Sequence, residues 1–447
     1  MRSGPEVIRT ALAVRRHPDA DRAELRAFQD RALRRLVRHA YEQVPFYRAL
    51  FDRHRLHPRH IRGTRDLELL PLTSKEAMLR RPERERVAAG LDPERLLHVR
   101  TSGSSGEPFT IRRTWLEDKV QYLIRLRMFR TLGIGPRDRI AMVGLAGRPD
   151  SGDPKYLRRA LHALGVHRRT RIDALQEPDA VLRQLAELRP DVVIGFPGML
   201  DRLTAPELAP LRAGVRPRLI LTGGEVLTGA MRGRLRRAFA AAVLESYASH
   251  EFPLMAASCR HGPGLHVADD GVALELLRDG RPVLPGERGE VVVTNLHAYA
   301  MPFIRYRLGD LATRGDECPC GRPFSTIGAV QGRMLDYFPL PDGRMLHPYE
   351  IVTRLVRAPS DWVRRYQLVQ ERTDRIVLRV VASAPPSEHV TELVQAVLPL
   401  LGAGVAFSVE LVDDIPLTAG GKLRPSRSLV RSEYDAVSWS GLGRADA

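Results

Sequence analysis

Between Arg139 and Tyr247 short apolar runs alternate with longer amphipathic ones, and this alternation limits the possible folds more than any other feature. RIAMVGLAG (139–147), DVVIGF (191–196), LILTGGE (219–225) and AVLESY (242–247) read as strands. Residues 156–164, 178–188, 198–204 and 229–241 have helical spacing. Strand–helix units in series predict a doubly wound, largely parallel α/β sheet. Such sheets bind ligands beyond the carboxyl ends of their strands. Three polar segments fall there: GFPG (195–198), TGGE (222–225) and YASHE (247–251).

Upstream, Leu25, Phe28, Leu33, Leu36, Val37, Ala40 and Tyr41 recur at helical spacing, and Pro45 turns the chain into another helix. LPLTSKE offers Thr73 or Ser74 as a helix N-cap, with Glu76 in the first turn. LLHVR (96–100) and FTIRRT (109–114) read as strands around the loop TSGSSGEP, and a helix follows over 115–132. From about residue 264 to 330 the pattern changes to alternating strands with turns (VALELL, VVVTN, FIRYR), which predicts an antiparallel subdomain. After Asp336 come RRYQLVQ, RIVLRVVA, a helix over 389–401 and AFSVELV, a small α+β domain. The expected division is a large domain over 1–335 and a small mobile one over 336–447.

The chain of 447 residues is 43% apolar and 28% charged, as a soluble globular enzyme is. It contains no apolar run long enough to span a bilayer, and its charged N-terminus is not a signal peptide. The expected location is therefore cytoplasmic, with no membrane partner. A net charge of +17 invites a nucleic-acid reading. The basic residues are nevertheless spread along the whole length, without a block interleaved with aromatics, so no nucleic-acid partner is expected. They are nearly all arginine; the lysines are Lys75, Lys119, Lys155 and Lys422.

Two constellations carry chemistry. Cys259, Cys318 and Cys320 are the only cysteines, and an odd number in an intracellular chain speaks against disulfides. With His266 they make three thiolates and an imidazole, a set that suits a closed, four-coordinate structural zinc. Burial as small apolar side chains is the competing reading. His261 competes for the fourth place, but His266 enters a strand that would fix its ring. The second constellation is TSGSSGEP, whose glycines admit close backbone approach and whose successive N–H groups can cradle an anion. It lacks the GK[ST] of a Walker loop, and a flexible hairpin loop would have the same composition.

TSGSSGEP, YASHE, YRLGD (306–310), GRMLD (332–336) and a late GGK (420–422) follow the order and rough spacing of the adenylate-forming enzymes. VPFYR, LPLTSKE and CPCGR are similar to the phenylacetate–coenzyme A ligase branch of that superfamily. The likeness covers nearly the whole chain from about residue 40.

The resemblance implies a site. Thr101, Ser102, Gly103, Ser104, Ser105 and Gly106 would hold the ATP phosphates. Gly223, Gly224, Glu225, Tyr247 and Ser249 would frame the nucleotide, with the tyrosine ring on the base. Glu251 would hold Mg²⁺, Asp310 would accept hydrogen bonds from the ribose hydroxyls, and Arg333 would contact ribose or phosphate. Asp336 would be the hinge. Lys422 would be the catalytic lysine, a compact charge able to reach between a carboxylate and the α-phosphate where a planar guanidinium fits badly. Members of the branch look similar at the cysteines, which favours the zinc. Phe129, Phe196, Gly198 and Gly224 are candidate acyl-pocket residues.

The chain departs from the family pattern at Glu107, Ala248, His250 and Leu308, where Lys, Gly, a hydroxyl residue and Thr are usual. The activity implied is ATP-dependent activation of an aryl or aryl-acetic acid to an acyl-adenylate, followed by transfer to coenzyme A. Alternatives are a carrier-protein thiol or amine acceptor, or a nucleotide-binding protein that has lost catalysis. The expected partners are the acid, ATP and coenzyme A, in a monomer or homodimer.

Overall fold

A computed structural model describes residues 4–100, 109–144, 168–174, 176–225, 227, 229–262, 264–331, 338–346, 348, 350, 351, 354, 363–382, 389–415 and 426–430. The chain divides into two compact units, Met1–Val99 with Ile111–Arg333, and Arg100–Thr110 with Met334–Ala447.

The first unit begins with helices α1 (Gly4–Arg16), α2 (Arg22–Gln43) and α3 (Pro45–Arg53). Asp21 caps α2 by accepting from the Glu24 N–H, and Pro45 opens α3 at a position where no donor is missed. These helices clasp a distant segment. Tyr47 is fully buried; its hydroxyl donates to the Pro302 carbonyl and accepts from the Ile304 N–H, both at 3.0 Å. Thr73 continues the clasp, its hydroxyl donating to the Ile304 carbonyl at 2.7 Å. Ser74, not Thr73, caps the helix that follows, accepting from the Ala77 N–H.

Helix α4 (Trp115–Thr131) starts in a capping box between Thr114 and Glu117. The same buried Glu117 also accepts from the Tyr299 and Ala300 N–H groups. Next come strands β1 (Ile140–Gly144), β2 (Arg169–Asp173), β3 (Val192–Gly195), β4 (Leu219–Gly223) and β5 (Ala242–Tyr247), with helices α5 (Pro178–Leu188) and α6 (Gly229–Phe239). Their spatial order is β2-β1-β3-β4-β5, all parallel. The order reverses direction between β1 and β3, a topological switch point.

Side chains alternate across this sheet, as the pleat requires. Ala141, Val143, Val193, Ile220 and Val243 pack toward α5 and α6. Ile140, Val192, Leu219 and Leu221 pack toward Val120, Ile124 and Met128 of α4. Each buried leucine or isoleucine here stands to cost about 2–5 kcal/mol if cut to alanine.

The antiparallel strands extend this sheet instead of forming a separate one. Pairing turns antiparallel at β6 (Ala256–Ser258), where Ser246 faces Ala257, so it starts before residue 264. β7 (Leu265–Val267), β8 (Val272–Arg278), β9 (Arg281–Pro282), β10 (Arg288–Asn295), β11 (Tyr306–Arg314) and β12 (Thr326–Gln331) follow. Among the described residues the sheet has twelve strands, continuing from β5 as β6-β7-β12-β11-β10-β8-β9. Two adjacent acidic residues brace it, Asp270 against helix α4 and Asp269 against the approach to β12. Asp270 accepts from Arg127 (3.1 Å) and lies 3.3 Å from His17 Nδ1; Asp269 accepts from the Ser325 N–H at 2.6 Å.

The sequence did not announce β6 and β12, nor two features with a plain reason. Helix α1 lies upstream of the periodic positions, and RTRID (β2) is too polar to read as a strand. The helix expected over 156–164 lies outside the described residues.

The second unit pairs β13 (Val363–Arg372) with β14 (Arg375–Ala382) antiparallel, and sets β15 (Ala406–Leu411) parallel to β14 and β16 (Ser426–Ser428) parallel to β13. Helix α7 (His389–Leu401) contributes Leu393, Val397 and Leu401 to a core with Leu368, Ile376 and Leu378.

Candidate active site and metal centre

The described candidate nucleotide residues gather at the carboxyl ends of β3, β4 and β5 and on β11. Gly195 ends β3, and the position takes glycine because a Cβ there would lie 2.8 Å from the Val143 carbonyl oxygen. Gly224 follows β4 at φ +83, and a Cβ on it would lie 2.7 Å from the Phe196 ring. Only glycine satisfies both demands, a left-handed backbone and an aromatic ring against it. Glu225 then accepts from the Gly198 N–H at 3.1 Å, joining the TGGE loop to GFPG. Phe196 and Gly198 therefore border the nucleotide loop, whereas Phe129 is a core residue at 7% exposure.

Tyr247 ends β5, and its hydroxyl donates to Asp310 Oδ2 at 2.6 Å. Asp310 is not at a strand end but is the fifth residue of β11. What exposes it is a bulge. Opposite Glu290 and Val292, which are two apart, stand Leu311 and Arg307, which are four apart, so β11 carries extra residues here. Gly309 allows this with φ +90. The departure Leu308 is buried, inside the same bulge.

Ser249 and Phe252 close a turn: the Ser249 N–H donates to the Phe252 carbonyl (2.9 Å), and Ser249 Oγ accepts from the Phe252 N–H (3.1 Å). The serine hydroxyl thus shapes the loop that presents Glu251. The Glu251 carboxylate accepts from the Tyr306 hydroxyl at 3.4 Å, and its carbonyl accepts from Asn295 at 3.1 Å. Arg113 donates to the His250 carbonyl at 2.8 Å. Burial lowers the pKa of Arg113, partly offset by Asp118, Glu117 and Glu251. Arg113, Asn295 and Tyr306 were missed from sequence; only Tyr306, the first residue of YRLGD, carried a signal. Thr101, Ser102, Gly103, Ser104, Ser105, Gly106, Glu107, Arg333, Asp336 and Lys422 lie outside the described residues.

The metal candidates converge. The ligand atoms of Cys259, His266, Cys318 and Cys320 all lie within 4.8 Å of one another. Cys259 follows β6, His266 is the middle residue of β7, and Cys318 and Cys320 sit in the turn between β11 and β12. His266 Nε2 is 3.1 Å from Cys320 Sγ, and the sulfurs of Cys318 and Cys259 are 3.4 Å apart. His261 instead gives its backbone N–H to Cys259 Sγ at 3.3 Å. Burial above all lowers the His266 pKa, which favours the neutral imidazole a metal needs. Burial and the neighbouring thiols push Cys318 up to about 11. Thiols so crowded resist joint ionisation unless a cation takes the protons' place. Two sulfurs from one hairpin, one from a second and a ring from a strand fit a tetrahedral thiolate site.

Among the described residues no helix is long and apolar enough to cross a membrane.

Known proteins bear on this geometry. The family model "CapK C-terminal domain" matches residues 341–426. A phenylacetate–coenzyme A ligase of Thermus thermophilus is 28% identical over 436 residues, covering 92% of this chain and 95% of that protein. The Escherichia coli phenylacetate–coenzyme A ligase is 28% identical over 297 residues, 64% of this chain and 67% of its own. The crystal structure of 2-hydroxyisobutyryl-CoA ligase with 2-HIB-AMP and CoA in the thioesterification state superposes with TM-score 0.64 at 21% identity, covering 92% of this chain and 91% of that one. That structural likeness concerns the fold. The chain is thus similar in sequence to phenylacetate–coenzyme A ligases over most of its length, and similar in fold to a coenzyme A ligase.

Proposed function

We propose that the protein is an ATP-dependent acid–thiol ligase that adenylates a carboxylic acid and passes the acyl group to coenzyme A. The observation that carries this is the meeting of the TGGE loop, Tyr247, Glu251 and the bulge-borne Asp310 at one end of one sheet. Asp310, held by the Tyr247 hydroxyl, would accept from the ribose, and the ring of Tyr247 would lie on the base. Glu251, a hard oxygen donor, would hold the Mg²⁺ that accompanies the triphosphate.

In the first half-reaction a carboxylate oxygen of the substrate attacks the α-phosphorus and pyrophosphate leaves. In the second the thiolate of coenzyme A attacks the acyl carbon and AMP leaves with the bonding electrons. Lys422 would neutralise the charge that builds in the first step, and the hydroxyls and glycines of Thr101–Gly106 would cradle the leaving phosphates. Arg333 would steady the nucleotide, and rotation at Asp336 would exchange the states of the small domain. The relatives' names favour an aryl-acetic acid as the class of substrate. Cys259, His266, Cys318 and Cys320 would hold a structural zinc that fixes the β6–β7 and β11–β12 connections and takes no part in the chemistry.

Acid-dependent exchange of labelled pyrophosphate into ATP tests the reading. Exchange stimulated by an aryl-acetic acid, followed by thioester formation on adding coenzyme A, is the expected result. ATP binding with no exchange for any acid would leave a nucleotide-binding protein without the ligase chemistry.

A further inference from the structure

Helix α4 has a face that the core does not use up. Val120, Ile124 and Met128 enter the core, and Phe129 stands at its edge with 7% of its surface exposed. Asp118, Tyr122, Arg125 and Phe129, at i, i+4, i+7 and i+11, form a neighbouring stripe about 16 Å long. At its start Arg113 Nη1 lies 3.8 Å from Asp118, with the two side chains only 13% and 19% exposed. Further along, Arg125 donates to the Pro253 carbonyl at 3.4 Å. Because Arg113 holds the His250 carbonyl, the stripe runs beside the segment that bears Glu251.

Arg169, on β2, lays its guanidinium over both aromatic rings of this stripe, 5.5 Å from the Tyr122 centroid and 5.4 Å from that of Phe129. Its buried Nε and Nη2 meet no hydrogen-bond acceptor among the described residues, and the buried Oδ2 of Asp118 meets no donor. Nε and Nη2 form one edge of the guanidinium, the pair that grips a carboxylate with two parallel bonds. A guanidinium edge buried without an acceptor is costly even on a half-buried arginine, and an arriving anion removes the cost. A plain aryl or alkyl tail would leave it in place. The field along the stripe is cationic as well: burial, and then the charge of Arg169, lower the pKa of Arg125.

We propose that this stripe selects an acid with a second anionic group, taken edge-on by Arg169 with Arg125 beside it. The inference rests on the ligase reading above and narrows its substrate class.

The test compares matched acids in pyrophosphate exchange: phenylacetate against 4-carboxyphenylacetate, and octanoate against suberate. The dianion should be preferred in kcat/KM by about 10- to 100-fold, the range for hydrogen bonds to a charged partner. Arg169→Met, which keeps the stem on the rings, should collapse the ratio of the pair toward one. Arg169→Lys should restore part of it. A ratio near one in the wild type, or a ratio indifferent to Arg169→Met in a folded variant, overturns the inference and leaves the ligase standing. Should none of these acids support exchange, calorimetry with suberate decides the site alone. Binding abolished by Arg169→Met upholds the anion site; absence of binding to the wild type removes it.

Discussion

Replacing Asp310 by alanine probes the proposed nucleotide site most directly. Its carboxylate leaves the sheet at a bulge and receives a 2.6 Å hydrogen bond from Tyr247, a length typical of a charge-assisted pair. Hydrogen bonds to a charged group contribute about 1.5–3 kcal/mol, so Asp310→Ala should raise the Kd for ATP roughly 10- to 150-fold. Asp310 is half-buried and stands outside the apolar core, so thermal stability should change by only about 0.5 kcal/mol. Tyr247→Phe keeps the ring and removes the hydroxyl that aims the carboxylate. Alone it should cost about 0.5–1.5 kcal/mol of ATP affinity; in the Asp310→Ala background it should cost nothing further. Titration calorimetry of the wild type, both single variants and the double variant closes the cycle. Two results refute the reasoning: unchanged ATP affinity in folded Asp310→Ala, or a full Tyr247→Phe penalty where the carboxylate is already gone.

Protein purified without chelator should contain about one zinc per chain, and Cys320→Ser should lower the melting temperature far more than the affinity for ATP; elemental analysis without zinc refutes the metal. Lys422→Ala should slow acyl-adenylate formation by about 10²- to 10³-fold, the cost of losing one charge-stabilising donor. The same variant, supplied with synthetic acyl-adenylate and coenzyme A, should still make thioester by mass spectrometry; equal collapse of both steps rules out a dedicated adenylation role. Burial raises Asp269 to about 6, above the 3.8 of a free aspartate. The native state then holds a proton that the unfolded chain has released, so this group's stabilisation is full below about pH 4 and is lost as pH rises through 6. Relative to Asp269→Asn, the wild type should lose up to about 3 kcal/mol across that window in denaturant titrations, and parallel curves would show that Asp269 does not titrate there.

How much was legible in the sequence depended on whether a residue's role is local. DVVIGF and AVLESY announce strands by their apolar runs, and helix 178–188 by its period, because both patterns record burial along a single element. RTRID was not legible: β2 lies at the end of the sheet's order, where half-covered side chains can be polar. The meeting of His266 with cysteines more than fifty residues downstream required knowing that β7 pairs with β12. Asp310 was legible as a residue but not as a position, since a bulge depends on the partner strand's register and leaves only Gly309 as a trace. Arg113, Arg125 and Arg169 were hidden among many arginines; nothing in one sequence separates a surface guanidinium from one pressed onto two rings.

The Tyr47 clasp has a consequence during synthesis. Its partner Ile304 lies 257 residues downstream, so at about 5–20 residues per second α2 and α3 leave the ribosome roughly 13–50 s before the segment that covers them. Phe46, Tyr47 and Phe51 spend that interval without their native cover, which makes the early chain a client for a holdase. Chains arrested before Pro302 should be cut readily within α2 and α3, whereas chains long enough to free Arg307 from the exit tunnel should resist the protease.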